Sequence, residues 1–159
     1  MDVENNRLLM IGEVLSINPE KARARVIFRD RDDMQTKEIP IQYLHTYENM
    51  KVYAMPDIGE QVICCFLANG LEEGFIMGSY YDDANPPPEK NPKKKLILFN
   101  NKDYVLYEEG HMTAKAEEIT LIAPRITLDG DVQITKSLSV AESVTSPIFN
   151  GVATSCLNC

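Results

Sequence analysis

The sequence predicts an all-β protein in two parts, a small barrel and a rod of very short strands, and three observations lead to this expectation. Within residues 1–81, short runs alternate apolar and polar residues with a period of two. Residues 82–95 are rich in proline and lysine and have no apolar period. From residue 119 onward, apolar residues return about every six positions. Since helical periodicity is almost absent, we expect strands and turns.

The composition is that of a folded soluble protein. The chain has 159 residues, of which 44% are hydrophobic and 25% charged, and its formal net charge is −8. That charge repels phosphate backbones and anionic lipid, so nucleic acid is not an expected partner. No run approaches the roughly 20 apolar residues that cross a bilayer, and no signal peptide is expected. The four cysteines do not suggest a disulfide scaffold, so synthesis in a reducing cytoplasm is expected.

The first three strands follow from alternation and turn residues. Apolar residues alternate over residues 9–17 and 22–28, on either side of an Asn-Pro-Glu turn at residues 18–20, which predicts two antiparallel strands. A further period-two run at residues 39–43 predicts a third strand. It contains Pro40, whose missing N–H places it on an edge or at a bulge.

A hairpin completes the barrel. Residues 61–67 (QVICCFL) form a dense apolar run that predicts a strand buried on both faces. The turn Asn69-Gly70 separates it from residues 74–81 (GFIMGSYY), which form the second strand. Five or more short strands within about 80 residues favour a small closed barrel, and the leading candidate is the OB-fold.

The barrel is followed by an extended linker and then by the repeat. Residues 82–95 (DDANPPPEKNPKKK) hold four of the nine prolines and are predicted to be a charged, solvated linker. The rod and its tip are assigned to residues 96–159. Polar or small residues separate its apolar positions, which are Ile119, Leu121, Ile126, Leu128, Val132, Ile134, Leu138, Val140 and Val144.

Units of this size cannot form a core alone. Each offers about two apolar side chains, and a strand of three or four residues has no independent stability. A left-handed solenoid of one chain needs three units per coil, so about seven units would make only two coils with open ends. Three chains wound together instead give every strand a neighbour and place the apolar pairs on one axis. The repeat therefore predicts an obligate, intertwined trimeric β-helix, roughly 30 to 40 Å long at about 4.8 Å per step.

Several sequence segments resemble those of a known family. They are residues 55–62 (MPDIGEQV), residues 74–81, the linker segment Asn85-Pro86-Pro87 and the repeat segment at residues 127–132 (TLDGDV). Together they resemble the central spike proteins of contractile phage tails, often called baseplate assembly protein V. The likeness extends over nearly the whole chain.

The resemblance implies a structural, non-enzymatic protein of a phage virion or of a tail-like particle such as a bacteriocin. The barrel would bind the baseplate hub, and the rod would pierce the target cell envelope when the sheath contracts. A protein that caps the tip is a further candidate partner. Some relatives carry a lysozyme domain between barrel and rod, for which residues 82–96 leave no room. Others hold iron through a His-x-His motif that this chain lacks.

Cys156 and Cys159 are the candidate metal ligands. They form a Cys-x-x-Cys pair on the last residues, and three chains would bring six thiols together near the axis, enough for zinc or an iron centre. The alternative, a tail whose thiols do nothing or cross-link on oxidation, stays open.

No catalytic or cofactor-binding residue is predicted. The sequence has no Gly-x-Ser-x-Gly, no phosphate-binding Gly-Lys-Ser/Thr and no His-Glu-x-x-His. His45 and His111 each stand without a second ligand or nucleophile at a useful spacing. Asp129-Gly130-Asp131 is interpreted as a turn, because calcium-binding solenoids repeat their Gly-Asp pattern every nine residues.

Two other functions compete with the spike. One is an OB-type module that binds nucleic acid or oligosaccharide and carries a solenoid stalk, although the acidic charge disfavours nucleic acid. The other is a hexapeptide-solenoid acyltransferase, whose histidine would lie between coils. His111 precedes the regular repeat and therefore disfavours it.

Overall fold

The computed structural model describes residues 8–67 and 73–145, and all regular secondary structure within them is β-sheet. The predicted all-β class is therefore confirmed for this part of the chain. No helix in it has the length and apolar character to span a bilayer. By their mutual contacts the residues group into two compact units, Met1–Glu117 and Glu118–Cys159.

The first unit contains the strands of the described chain. In chain order they are β1 Leu9–Asn18, β2 Arg23–Phe28, β3 Met34–Gln35, β4 Ile39–Pro40, β5 Thr46–Tyr47, β6 Met50–Lys51, β7 Gln61–Phe66, β8 Gly74–Ser79, β9 Lys95–Phe99, β10 Asp103–Glu108 and β11 His111–Lys115.

A six-stranded antiparallel sheet forms the largest element. Its order is β3-β2-β1-β7-β8, and β4 also pairs with β2. Just after β4, Ile41 makes a parallel bridge with Ile76 of β8, and the Gln42 N–H donates to the Ile76 carbonyl at 2.8 Å. The residues that directly follow β4 are thereby hydrogen-bonded to β8.

The predicted strands of this sheet are confirmed, with two differences. β1 pairs with β2, and β7 with β8, both antiparallel as expected. The predicted third strand at residues 39–43 is shorter, β4 at Ile39–Pro40, and a further strand that was not predicted, β3, precedes it; between β3 and β4 the side-chain hydroxyl of Thr36 accepts a hydrogen bond from the Val26 N–H at 3.0 Å. β7 buries one face only: Cys64 is buried, whereas Cys65 on the other face is half-buried. The predicted turn Asn69-Gly70 lies outside the described residues.

The apolar core lies on one side of the six-stranded sheet. Its members are Met10, Val14, Ala24, Val26, Phe28, Ile39, Val62, Cys64, Phe66 and Ile76. The rings of Phe28 and Phe66 meet edge to face, with centroids 5.9 Å apart, which is a favoured aromatic arrangement. The alternation seen in the sequence places these residues on one side of each strand.

Gly12 allows two strands to approach closely. A Cβ atom at this position would lie 2.5 Å from Val26 Cγ1, 2.8 Å from Phe28 Cε1 and 2.9 Å from the carbonyl oxygen of Ile27. The last of these is backbone and cannot rotate away. The sequence requires glycine here because of packing across β1 and β2.

A second sheet lies in residues 95–115, which the sequence analysis groups with the rod. It is an antiparallel meander in the order β11-β10-β9. Its two turns have positive φ at both central positions, +49° and +56° at Asn100 and Asn101, and +45° and +91° at Glu109 and Gly110. Such turns match the twist of antiparallel strands, which explains why the chain reverses twice here.

The second unit differs from the first. Its described residues, 118–145, contain no strand and no buried residue. Each apolar-polar-apolar step is too short to fold on itself, and no neighbouring strand of the same chain pairs with it in the described part.

Gly12→Ala should lower the free energy of unfolding of the sheet by about 1–3 kcal/mol, because the added methyl group overpacks the contact with β2. Thermal and urea unfolding at one fixed protein concentration measure the effect. Gln35→Ala, at an exposed position of β3, is the control and should change stability by less than about 0.5 kcal/mol. Equal stability of the two variants would contradict the packing role of Gly12.

Candidate assembly surfaces

The nine apolar residues predicted to form the trimer core are all exposed in the single chain. Their exposed fractions run from 45% at Val140 to 69% at Leu121. The other members are Ile119, Ile126, Leu128, Val132, Ile134, Leu138 and Val144. Water is thus in contact with about half or more of every side chain that the repeat offers for burial.

Such a surface is unusual for a chain that acts alone. Single exposed apolar residues are common, whereas large exposed apolar patches are typical of interaction or binding surfaces. The intervening residues are short or polar, such as Thr127 and Ser139, and they suit a solvent-facing side of a strand. The nine residues are all aliphatic, so the surface that they offer is one for apolar contact.

The three-stranded sheet presents two faces of different character. One, here called the linker face, carries Leu96, Leu98, Tyr104 and Leu106, which are mostly half-buried. The other, here called the open face, carries Ile97, Phe99, Val105, Tyr107, Met112 and Ala114, all exposed. None of the residues in β9, β10 or β11 reaches full burial.

The chain's own linker holds the linker face. Lys94 Nζ lies 3.1 Å from Glu89 Oε2 and 3.6 Å from Glu108 Oε1. The Glu89 carboxylate also accepts hydrogen bonds from the N–H groups of Asn91, at 2.9 Å, and Lys90, at 2.8 Å. The bond from Asn91, followed by the Lys94 ammonium, lowers the pKa of Glu89 below its ordinary value. The bonds to Glu89 order residues 89–94 among themselves, and the contact between Lys94 and Glu108 of β10 joins this segment to the sheet.

A third apolar surface, here called the barrel patch, lies on the outer side of the six-stranded sheet. Its exposed members are Leu9 and Ile11 of β1 with Phe75 and Met77 of β8, and the half-buried Ile63 and Cys65 of β7 lie between them. Cross-strand pairing joins them: Leu9 is opposite Cys65, Ile11 opposite Ile63, and Cys65 opposite Phe75. The patch is therefore continuous across three strands.

An open groove of about 790 Å³ lies within the first unit. Its lining includes Ile58, Tyr80 and Tyr81, the prolines Pro86 and Pro88, and Leu96 and Leu98 of β9. The Glu60 carboxylate at its edge accepts the Asp57 N–H at 2.8 Å, which closes a local turn. The groove lining includes no histidine, cysteine, lysine or arginine.

The other singled-out residues do not come together. His45 lies in the loop before β5, and His111 is the first residue of β11 in the three-stranded sheet. Within the described ranges, no group of three or more histidine, cysteine or acidic side chains could hold a metal ion. Cys156 and Cys159 lie outside the described residues, so their role as metal ligands stays a prediction.

The open face and the barrel patch were not identified from the sequence. A signal for the three-stranded sheet is present: Asn100-Asn101 and Glu109-Gly110 each separate two runs of alternating apolar residues, which is a hairpin signature. The barrel patch has a weaker signal, since Leu9, Ile11, Phe75 and Met77 occupy the positions that alternate with core residues.

Comparison with known proteins adds no assignment. The chain matches no protein-family model, and a search of curated proteins finds no significant match.

The two adjacent cysteines should differ in reactivity. Burial raises the pKa of Cys64 to about 12, so this thiol carries almost no thiolate at pH 8. Cys65 is half-buried on the opposite side of β7. Iodoacetamide at pH 8 should therefore modify Cys65 well before Cys64, as read by fragmentation mass spectrometry. In guanidinium chloride both should react alike; equal labelling of the native protein would refute the placement of Cys64 in the core.

Proposed function

We propose that this chain is the structural central spike of a contractile phage tail or a related injection particle. It acts as a homotrimer that attaches to the baseplate hub through its first domain and pierces the target envelope with its rod. The proposal rests on the nine apolar residues that recur about every six positions from Ile119 to Val144. Every one of them is exposed in the single chain. The sequence resemblance to baseplate assembly protein V supports it.

The strand pairing supports an OB-fold-like barrel as the attachment domain. The path β4-β2-β1-β7-β8 has its ends joined through the Ile41 and Ile76 bridge, which is the only parallel contact among the described strand pairings. Five strands arranged in this way, with one parallel contact, are consistent with the small Greek-key barrel of that fold. Gly78, with φ +151° beside a bulge between β7 and β8, suits the bend that a barrel needs.

The exposed repeat supports a trimeric rod. Burying the remaining surface of one such aliphatic side chain stabilises by about 1 kcal/mol or more. With nine per chain, three chains would bury 27 apolar side chains around one axis. Backbone groups of residues 118–145, which form no strand in the single chain, would be paired by the other two chains.

The barrel patch is the surface best suited to the hub. It is apolar at its centre, spans three strands and lies on the side of the sheet away from the core. Contacts of this kind, with an apolar centre and a polar rim, are typical of stable protein interfaces. In particles purified from producing cells, an antibody against the chain should label the baseplate end of a contractile tail.

The alternative, a ligand-binding module on a stalk, is separated from the spike by mass and by binding. The wild-type chain should elute as a trimer of three times 18.0 kDa, measured by light scattering, and should stay trimeric on mild heating in detergent. A monomer that binds a single-stranded oligonucleotide would favour the alternative. A monomer that binds nothing would refute the spike and leave the alternative without support.

Leu128→Asp should abolish or strongly weaken the trimer, because three carboxylates would face one another on the dry axis at a cost of several kcal/mol per chain. Thr127→Asp is the matched control: it introduces the same charge one residue away, on the side predicted to face water. Sedimentation and thermal unfolding compare both with the wild type. If the two variants behave alike, the predicted core is wrong.

The metal hypothesis for Cys156 and Cys159 predicts one bound ion per three chains. The ion should disappear from the double variant Cys156→Ser/Cys159→Ser, and the melting temperature should fall with it. Metal analysis of trimer purified without chelators measures this. No metal in the wild type, with an unchanged melting temperature in the variant, would indicate the inert tail.

A further inference from the structure

A groove of about 790 Å³ lies within the first unit, and the proposed trimer makes no use of it. We infer that this groove binds an extended segment of another protein, one that contains proline and carries lysine or arginine. The inference goes beyond the proposed spike and does not depend on it, because every residue that lines the groove belongs to the first unit.

Two walls of the groove are fixed by hydrogen bonds within the chain. The turn before β7 is held to β1, since the Gly59 N–H donates to the Val14 carbonyl at 2.8 Å and the Val14 N–H donates to the Glu60 carbonyl at 3.0 Å. In the linker, Asp82 and Asn85 exchange two bonds, and the shorter one joins the Asn85 N–H to the Asp82 carboxylate at 2.6 Å. A ligand would therefore enter a site that is largely formed in advance, which lowers the entropic cost of binding.

The lining of the groove combines aromatic rings, proline rings and hydrogen-bond donors. Tyr80 and Tyr81 follow β8, Pro86 and Pro88 lie in the linker, and Leu96 belongs to β9. Among the described residues, the hydroxyl groups of the two tyrosines have no hydrogen-bond partner, so both can donate to a ligand. Aromatic-lined grooves are the usual sites for proline-rich segments, whose polyproline II backbone is preformed and leaves its carbonyl acceptors unpaired.

The charge of the groove favours a cation. Asp57 and Glu60 belong to its lining, which contains no lysine, arginine or histidine. The linker lysines line a second, smaller cavity of about 310 Å³, and Lys94 among them is paired with Glu89 and Glu108. An anionic ligand would meet two carboxylates in the groove, whereas a lysine or arginine side chain would be attracted by them.

A neutral oligosaccharide is the competing ligand. It would use the tyrosine rings and the side-chain amides of the groove, but it would gain nothing from the charge of Asp57 and Glu60. The aromatic and proline lining together with this charge therefore favours the basic, proline-containing segment.

Fluorescence anisotropy with the full-length protein tests the inference. The probe is the fluorescein-labelled peptide Pro-Pro-Arg-Pro-Pro-Arg-Pro, and a second probe carries glutamate in place of both arginines. We expect the arginine probe to bind with a Kd below about 1 mM and at least about tenfold tighter than the glutamate probe. Added salt should weaken its binding, because part of the attraction is electrostatic. Equal affinity for the two probes, or no binding of the arginine probe, would overturn the inference.

Two variants with matched controls locate the bound probe. Tyr81→Ser removes a ring from the groove, and Tyr47→Ser removes one from β5; these side chains are 65% and 78% exposed. Asp57→Asn removes a carboxylate from the groove, and Asp30→Asn removes one from the exposed loop after β2. We expect Tyr81→Ser to weaken the arginine probe at least about fivefold and Asp57→Asn about threefold, with both controls unchanged.

All four positions are exposed, so the variants should keep the fold of the wild type, which circular dichroism checks. A groove variant that binds the arginine probe as its control does, in either pair, would overturn the inference.

The outcomes keep this inference apart from the proposed function. A trimer that does not bind the arginine probe would overturn the inference and leave the spike proposal standing. A monomer by light scattering that binds the arginine probe in the groove would support the inference and overturn the spike. Binding of the N-acetylglucosamine trisaccharide in calorimetry, without binding of the arginine probe, would overturn the inference in favour of a sugar ligand.

Discussion

The organisation of this protein depends on where its strands find partners. A strand needs a neighbour for its backbone and a packed layer for its side chains. In the first unit the ten residues of β1 pair with both β2 and β7, and even the two-residue strands pair within the chain. In residues 118–145 no strand forms within the chain, and the apolar residues stay in water. The described residues of the second unit thus form no packed structure within the single chain.

This constraint divides the molecule into a self-sufficient part and a dependent part. The core around Phe28, Phe66 and Ile76 is closed by contacts within one chain, and its buried polar group, Thr36, is hydrogen-bonded to Val26. The three-stranded sheet is intermediate between the two, because Lys94 of the linker contacts Glu108 on one face of the sheet, whereas the open face is exposed to water.

The prediction of the first sheet succeeded because alternation and turn residues are local signals. The hairpin of β7 and β8 was found from one apolar run and its glycines, and the opposite orientation of Cys64 and Cys65 follows from the period of two. The prediction grouped β9, β10 and β11 with the rod, because this segment lies between the predicted linker and the six-residue repeat. The paired turns at Asn100-Asn101 and Glu109-Gly110 were the local signal that separates it. The strand β3 and the hydrogen bond of Thr36 after it have no signal in the sequence, because both depend on pairing with β2.

The sequence by itself determined the all-β class, two hairpin pairs of the first sheet, and the series of apolar residues from Ile119 to Val144, because each of these depends on spacing along the chain. Only the tertiary structure decided which apolar residues remain exposed. In each strand, one of two neighbouring residues faces the packed side: Met10 and not Leu9, and Leu96 and not Ile97. The choice depends on strand register and on the segments that pack against each face, which include strands distant in the sequence. The open face and the barrel patch became visible for that reason.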